Sequence, residues 1–170
     1  MKTTRDLQIL LILIAMVLPI AGCGGEKLPP GMPTPVPCEI VVMQEGQPLE
    51  GAMVRLLPAD GGSWDAIGRT DASGKAVVYV MDKYKGAIPG KYKVIVNKIE
   101  QDDPGPVLST EEYQALVAQG RNTSVASFYL VEEQYRNSSK TTLEIEVVKG
   151  TPVYTVDIGK AVRIKIIDGR

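Results

Sequence analysis

The corner inside "RTDASGKAVVYV", residues 69–80, gathers a carboxylate, a hydroxyl and a glycine within four positions: Asp71, Ser73 and Gly74. Such a trio could hold a cation through its oxygens or an anion through backbone N–H groups. Calcium, however, needs six to eight oxygen ligands, and no D-x-D-x-D run stands beside the corner. The remaining acidic groups that sit together are sequence neighbours: Asp102 with Asp103, Glu111 with Glu112, Glu132 with Glu133. A strand sends adjacent side chains to opposite faces and a helix turns them about 100° apart, so these are solvated charges rather than convergent acid–base pairs. The chain contains no histidine, which removes Ser-His-Asp and Cys-His triads, most catalytic zinc sites and the facial iron triad. It has no S-x-x-K run for a Ser-Lys hydrolase either. The expectation is a non-enzymatic protein with no cofactor and no metal. One other side chain stands out: Trp64 in "DGGSWDA", the single tryptophan. It either lids one end of the core or offers an indole face on which a sugar ring stacks, and the lid is the favoured reading.

The elements that position these residues read mostly with period two. "CEIVVMQ" at 38–44 puts Ile40 and Val42 on one face, and "GAMVRLLP" at 51–58 puts Ala52, Val54 and Leu56 on one face. With the turn "EGQP" between them, these two strands are expected to pair. "GKAVVYVM" at 74–81 alternates Ala76, Val78 and Val80 against Val77, Tyr79 and Met81, while "GKYKVIVNKI" at 90–99 alternates Tyr92, Val94 and Val96 against lysines. "TLEIEVV", "PVYTVDI" and "AVRIKII" supply the later strands. One segment departs from this period. "LSTEEYQALVAQG" at 108–120 carries a capping box, Ser109 with Glu112, a staple between Leu108 and Tyr113, and a closing Gly120. It predicts a short helix whose stripe of Tyr113, Leu116 and Val117 packs on the strands.

At the N-terminus, "MKTTRDLQILLILIAMVLPIAGC" opens with Lys2 and Arg5, then an apolar run shorter than the roughly 20 residues of a spanning helix, then small residues. "IAGC" at 20–23 resembles the lipobox of bacterial lipoproteins. That resemblance implies a signal peptide over 1–22, cleavage after Gly22, and acylation of Cys23 as the first residue of the mature chain. Gly24 in place of Asp after the cysteine implies the outer membrane in a two-membrane cell, with the body facing the periplasm or the exterior. In a bacterial chain, the sequons at Asn122 and Asn137 are chance matches. With Cys23 lipidated, Cys38 has no partner within the chain and reads as a small half-buried residue at a strand start rather than an intermolecular bridge. "GGEKLPPGMPTPVP" at 24–37 holds five prolines and three glycines, an extended spacer of roughly 40 Å. The domain is expected to start near Cys38 and run to 170.

Of 19 basic and 20 acidic residues, the segment 1–22 holds Lys2, Arg5 and Asp6, which leaves 17 and 19. Lys83, Lys85, Lys91 and Lys93 alternate as the solvated edge of a strand rather than a patch, so no nucleic-acid partner is implied.

Taken in order, "EGQPLEGAMVRLLP", "GRTDASGKAVV" and "IPGKYKVIV" resemble the G-x-P-L-x-G-A-x-V, T-D-x-x-G and P-G-x-Y-x-V elements of carboxypeptidase regulatory-like modules. The resemblance covers about residues 39–98. "VEEQYRNSSKTTLEIEVVKG" looks like the ending of short bacterial lipoproteins that carry this module, with Glu133, Gln134 and Thr142 departing from it. It implies an all-β fold: a seven- to eight-strand antiparallel sandwich, Ig-like or transthyretin-like, with one short inserted helix at about 109–119. In such modules T-D-x-x-G is a strand-joining turn, with Asp71 accepting local N–H bonds and Gly74 at positive φ. "YRNS" at 135–138 looks like the Y-R-G-S of transthyretin-like hydrolases, but those enzymes also use histidines. The function expected is a structural or protein-interaction module held to the membrane by its lipid and facing an envelope protein partner. The alternative is a glycan-binding module using Trp64.

Overall fold

The computed structural model describes residues 27–103, 108–121 and 125–166. The expected signal segment, Cys23 and the sequon at Asn122 lie outside these residues. Two compact units divide the chain, Met1–Gly31 and Met32–Arg170. Of the first, residues 27–31 hold only a turn at Pro30–Gly31. Among the described residues no helix is long and apolar enough to cross a membrane.

The second unit is an all-β sandwich with a short helix. Its strands are β1 (Glu39–Gln44), β2 (Gln47–Pro48), β3 (Met53–Pro58), β4 (Ala66–Arg69), β5 (Lys75–Val77), β6 (Tyr79–Val80), β7 (Tyr84–Lys85), β8 (Gly90–Asn97), β9 (Ile99–Gln101), β10 (Ser127–Tyr129), β11 (Glu144–Val147), β12 (Val153–Asp157) and β13 (Ile164–Lys165). Helix α1 (Thr110–Ala118) and the single turn α2 (Glu133–Arg136) interrupt them. One sheet runs β11-β8-β3-β4-β6-β7, a second centres on β1 with β12 on one side and β2 and β5 on the other, and a third is β13-β10-β9. The predicted alternation holds: Ile40, Val42, Ala52, Val54, Leu56, Ala76, Val78, Val80, Val94 and Val96 are fully buried, and their neighbours face outward. Burying the valine, leucine and isoleucine side chains among them contributes about 1.5 to 3 kcal/mol each.

Pairing differs from the period-two reading in two places. β1 and β3 do not pair, because the turn at Glu45–Gly46 folds β2 back along β1 and the chain then crosses at Leu49–Gly51 into the other sheet. In addition, β1 and β12 run parallel, Ile40 opposite Tyr154 and Val42 opposite Val156, in an otherwise antiparallel fold. Periodicity fixes which face of a strand is buried but carries no information on its neighbour. Lys91 and Lys93 lie on the interior strand β8, not on an edge, where they stand opposite Glu146 and Glu144 of β11. Opposite charges facing across a ladder stabilise it modestly.

The packed body begins earlier than Cys38. Met32 is buried, and Val36 exchanges backbone hydrogen bonds with Ala87 at 2.8 and 3.0 Å. Prolines alternate with other residues here, so Val36 keeps the N–H that a bridge needs while Met32 has a side chain to bury. A Cβ at Gly86 would overlap the Val36 carbonyl, so this close approach depends on that glycine.

Helix α1 is capped as expected. The Ser109 hydroxyl accepts from the Glu112 N–H, and the Glu112 carboxylate accepts from the Ser109 N–H at 2.8 Å. At the other end Gly120, at φ 68°, donates to Val117, and Arg121 donates to Leu116, the paired bonds of a Schellman motif. Its stripe, however, does not pack: none of its residues is buried, and Tyr113 and Val117 are 50 % and 51 % exposed. Three large apolar residues in nine are too little surface to oblige docking when the caps already satisfy both ends.

Candidate functional site

The corner at residues 70–75 is a turn built from the inside. Asp71 Oδ1 accepts from the Ser73 N–H at 2.8 Å, the Ser73 hydroxyl at 2.6 Å and the Lys75 N–H at 3.0 Å. These bonds hold the Asp71 carboxyl below its usual range, the Ser73 hydroxyl contributing most. Gly74 sits at φ 73°, and a Cβ there would come within 2.7 Å of the Val42 carbonyl. Thr70, one residue before the corner, is buried, and its hydroxyl accepts from the Ala52 N–H at 2.8 Å. Thr70 thereby ties β3 to the corner. Only the hydrogen-bonding partner reveals that role, since Thr is common in strands for other reasons.

The other acidic pairs are each engaged in structure. Asp102 pairs with Arg163 at 2.6 Å, Glu112 caps α1, Glu132 accepts from Gln134, and Glu133 pairs with Lys140 at 2.6 Å. The "YRNS" residues act likewise. Arg136 stacks on the Tyr129 ring at 3.5 Å and donates to the Val131 carbonyl, while Asn137 Oδ1 accepts from the Ser139 N–H and hydroxyl. Among the described residues no group of three or more acidic or thiol ligands converges. Cys38 is buried rather than half-buried, and burial pushes its thiol up to about 11, far from a nucleophile.

Two of the concavities formed by the described residues bear on these candidates. The smaller, about 210 Å³, is lined by Trp64 and Tyr92 together with Pro33, Pro58, Pro89, Asp60 and Lys91. Trp64 is half-buried, neither a fully covered lid nor a ring lying open. Tyr92 forms the floor: its hydroxyl donates to the Ile88 carbonyl at 2.8 Å, and burial raises it to about 12.

The larger is a shallow groove of about 490 Å³ on the outer face of the six-stranded sheet and β5. Met53 of β3, Ile67 of β4, Val77 of β5 and Tyr79 of β6 form its apolar floor. Met53 and Tyr79 are 47 % and 37 % exposed, and Met81 just past β6 is 60 % exposed. Arg69, Asp71, Lys75 and Asp82 form the rim. Gly68 keeps the floor tight, because a Cβ there would come within 2.5 Å of the Val77 carbonyl. The same sheet is covered elsewhere: α2 packs against β8, and the Thr141 hydroxyl donates to the Val94 carbonyl at 2.8 Å. Among the described residues the groove lies open on that sheet. Its sequence signal is the run 76–81, apolar on both faces where a half-solvated strand would alternate with polar residues.

In comparison with known proteins, no family, no curated protein and no solved structure matches this chain.

Proposed function

We propose that this chain is a non-enzymatic lipoprotein of the bacterial cell envelope, acylated at Cys23 and held at the outer membrane, whose carboxypeptidase regulatory-like body binds a protein partner. The observation that carries the reading is the uncovered apolar floor of Met53, Ile67 and Tyr79 beside a charged rim. Exposed apolar surface of this kind, rimmed by polar groups, marks interaction sites on soluble bodies. Met53 on it, and the exposed Met81 next to Asp82 of its rim, suit a contact that adapts to its partner. The engagement of the acidic residues in turns, caps and ion pairs supports a role without acid–base chemistry. A photo-crosslinking residue at position 79, in cells making the full chain, tests it. The expected result is a discrete crosslinked protein that is missing when the probe stands at exposed Glu50; equal patterns from both positions would count against the reading.

A second reading, glycan binding, draws on Trp64 in its cleft with Asp60 and Lys91 at the rim, an indole beside polar groups able to bond hydroxyls. Because Trp64 is the single tryptophan, its emission reports on that cleft alone. A blue shift with soluble oligosaccharides supports the reading, and unchanged emission across a panel removes it.

A further inference from the structure

The charges around the larger groove are unequal in what they are free to do. Asp71 is bound into its own turn, and Lys75 pairs with Glu39 at 3.1 Å. Arg55, outward on the same sheet, pairs with Asp65 at 2.8 Å. The side chains of Arg69 and Asp82 have no ion pair or hydrogen-bonded partner among the described residues, although both residues line the groove. They also stand at its opposite ends. β4 and β6 are antiparallel with Ile67 opposite Tyr79, so Arg69 lies two residues beyond that level in one direction, while Asp82 lies beyond it in the other, in the turn that follows Val80. At about 3.3 Å per strand residue, with Asp82 in the turn just past Val80, the two are roughly 13 Å apart along the strand direction, with the apolar floor between them.

The lip at the Asp82 end is held in an unusual conformation. Met81 and Asp82 have φ 55° and 56°, and Lys83 donates back to the Val80 carbonyl, a turn with two left-handed residues that ordinarily takes Gly, Asn or Asp. Met at the first position is unfavourable for the turn itself. Its flexible apolar side chain is 60 % exposed, one residue before Asp82 of the rim, and backbone strain retained in this way accompanies binding surfaces.

Building on the interaction reading above, we propose that the groove takes an extended segment of the partner protein that carries an acidic residue for Arg69, an apolar residue for the floor, and a basic residue for Asp82. In an extended chain alternate side chains point the same way, about 7 Å apart, so the recognised pattern is acid-x-apolar-x-base, read in one chain direction. The four-residue span of about 13 Å plus the reach of the two charged side chains covers the groove. Charge complementarity at the two ends selects the register, and the apolar floor supplies contact area.

The test is selection of a displayed random heptapeptide library on the full purified chain, followed by binding of the best peptide to variants. Enrichment of acid-x-apolar-x-base is expected, with a loss of at least about tenfold in Arg69→Glu, as for a charge-assisted contact turned into a repulsive one. The charge-reversed peptide should bind the double variant Arg69→Glu, Asp82→Lys and not the wild type. Met81→Gly should keep the melting temperature and weaken binding several-fold. Peptides whose binding falls in Tyr79→Ala but ignores both charge changes would overturn the charge rule and leave the interaction reading standing. No enrichment at all, or peptides indifferent to Tyr79→Ala as well, would overturn both.

Discussion

The corner at residues 70–75 and helix α1 are both announced by short local signatures, T-D-x-x-G in one and S-x-x-E followed by glycine in the other, and both form as those signatures dictate. They differ in what lies beyond their own hydrogen bonds. The corner is tied to the body through the buried Thr70 hydroxyl and through Gly74 pressed on the Val42 carbonyl. The helix has a complete cap at each end and no buried side chain. A capping motif is thus a statement about a few backbone groups, and whether the element is also part of the core is decided elsewhere. An isolated nine-residue helix is marginal in water, so α1 is held less firmly than the corner, which is anchored on the body.

Substitutions can widen or collapse that contrast. The largest effect is expected at Gly74→Val, which combines positive φ with a Cβ too close to backbone. It should destabilise the fold by about 3 kcal/mol or more in urea titration, and a loss below 1 kcal/mol would show that the corner yields easily. Thr70→Val keeps the shape and removes the acceptor of the buried Ala52 N–H, for an expected loss of about 1 to 3 kcal/mol. Ser109→Ala should cost the helix about 1 kcal/mol, visible as faster amide exchange at Glu112, while the melting temperature of the body stays put. A lowered melting temperature there would mean that α1 is coupled to the core after all. The smallest effect concerns acid. Because the Asp71 carboxyl titrates below its unfolded value, its contribution is present at neutral pH and is lost as pH falls through the folded value, below the ordinary carboxylate range. Asp71→Asn should flatten that part of the stability profile, and an unchanged acid limb would show that the turn bonds do not depend on the charge.

How much of this was legible follows the same division. Buried faces were readable residue by residue, since Ile40, Val54, Val78 and Val94 each sit where alternation puts them. Partners were not, because the separation of β1 from β3 and its parallel union with β12 depend on contacts more than a hundred residues apart in sequence. The docking of Met32 and Val36 was hidden by their prolines, which announce an extended chain without saying whether it is free or laid on a surface. At the candidate sites, Trp64 drew attention as a lone indole, whereas Arg69 is distinguished from Arg55 only by its lack of a partner. The outward Val77, Tyr79 and Met81 were visible in the alternation itself, and their meaning came from the bare face around them.

The parallel pairing of β1 with β12 has a mechanical side. The chain enters β1 at Glu39, beside Val153, and leaves β12 at Asp157, at the other end of the same ladder. Tension applied between the segment before β1 and the segment after β12 would therefore drag the two strands past each other lengthwise. All of their shared hydrogen bonds would carry the load together, where a hairpin pulled from its open end gives way one bond at a time. A body tethered at its N-terminal side and pulled by a partner gripping the C-terminal segment would resist as a clasp in shear.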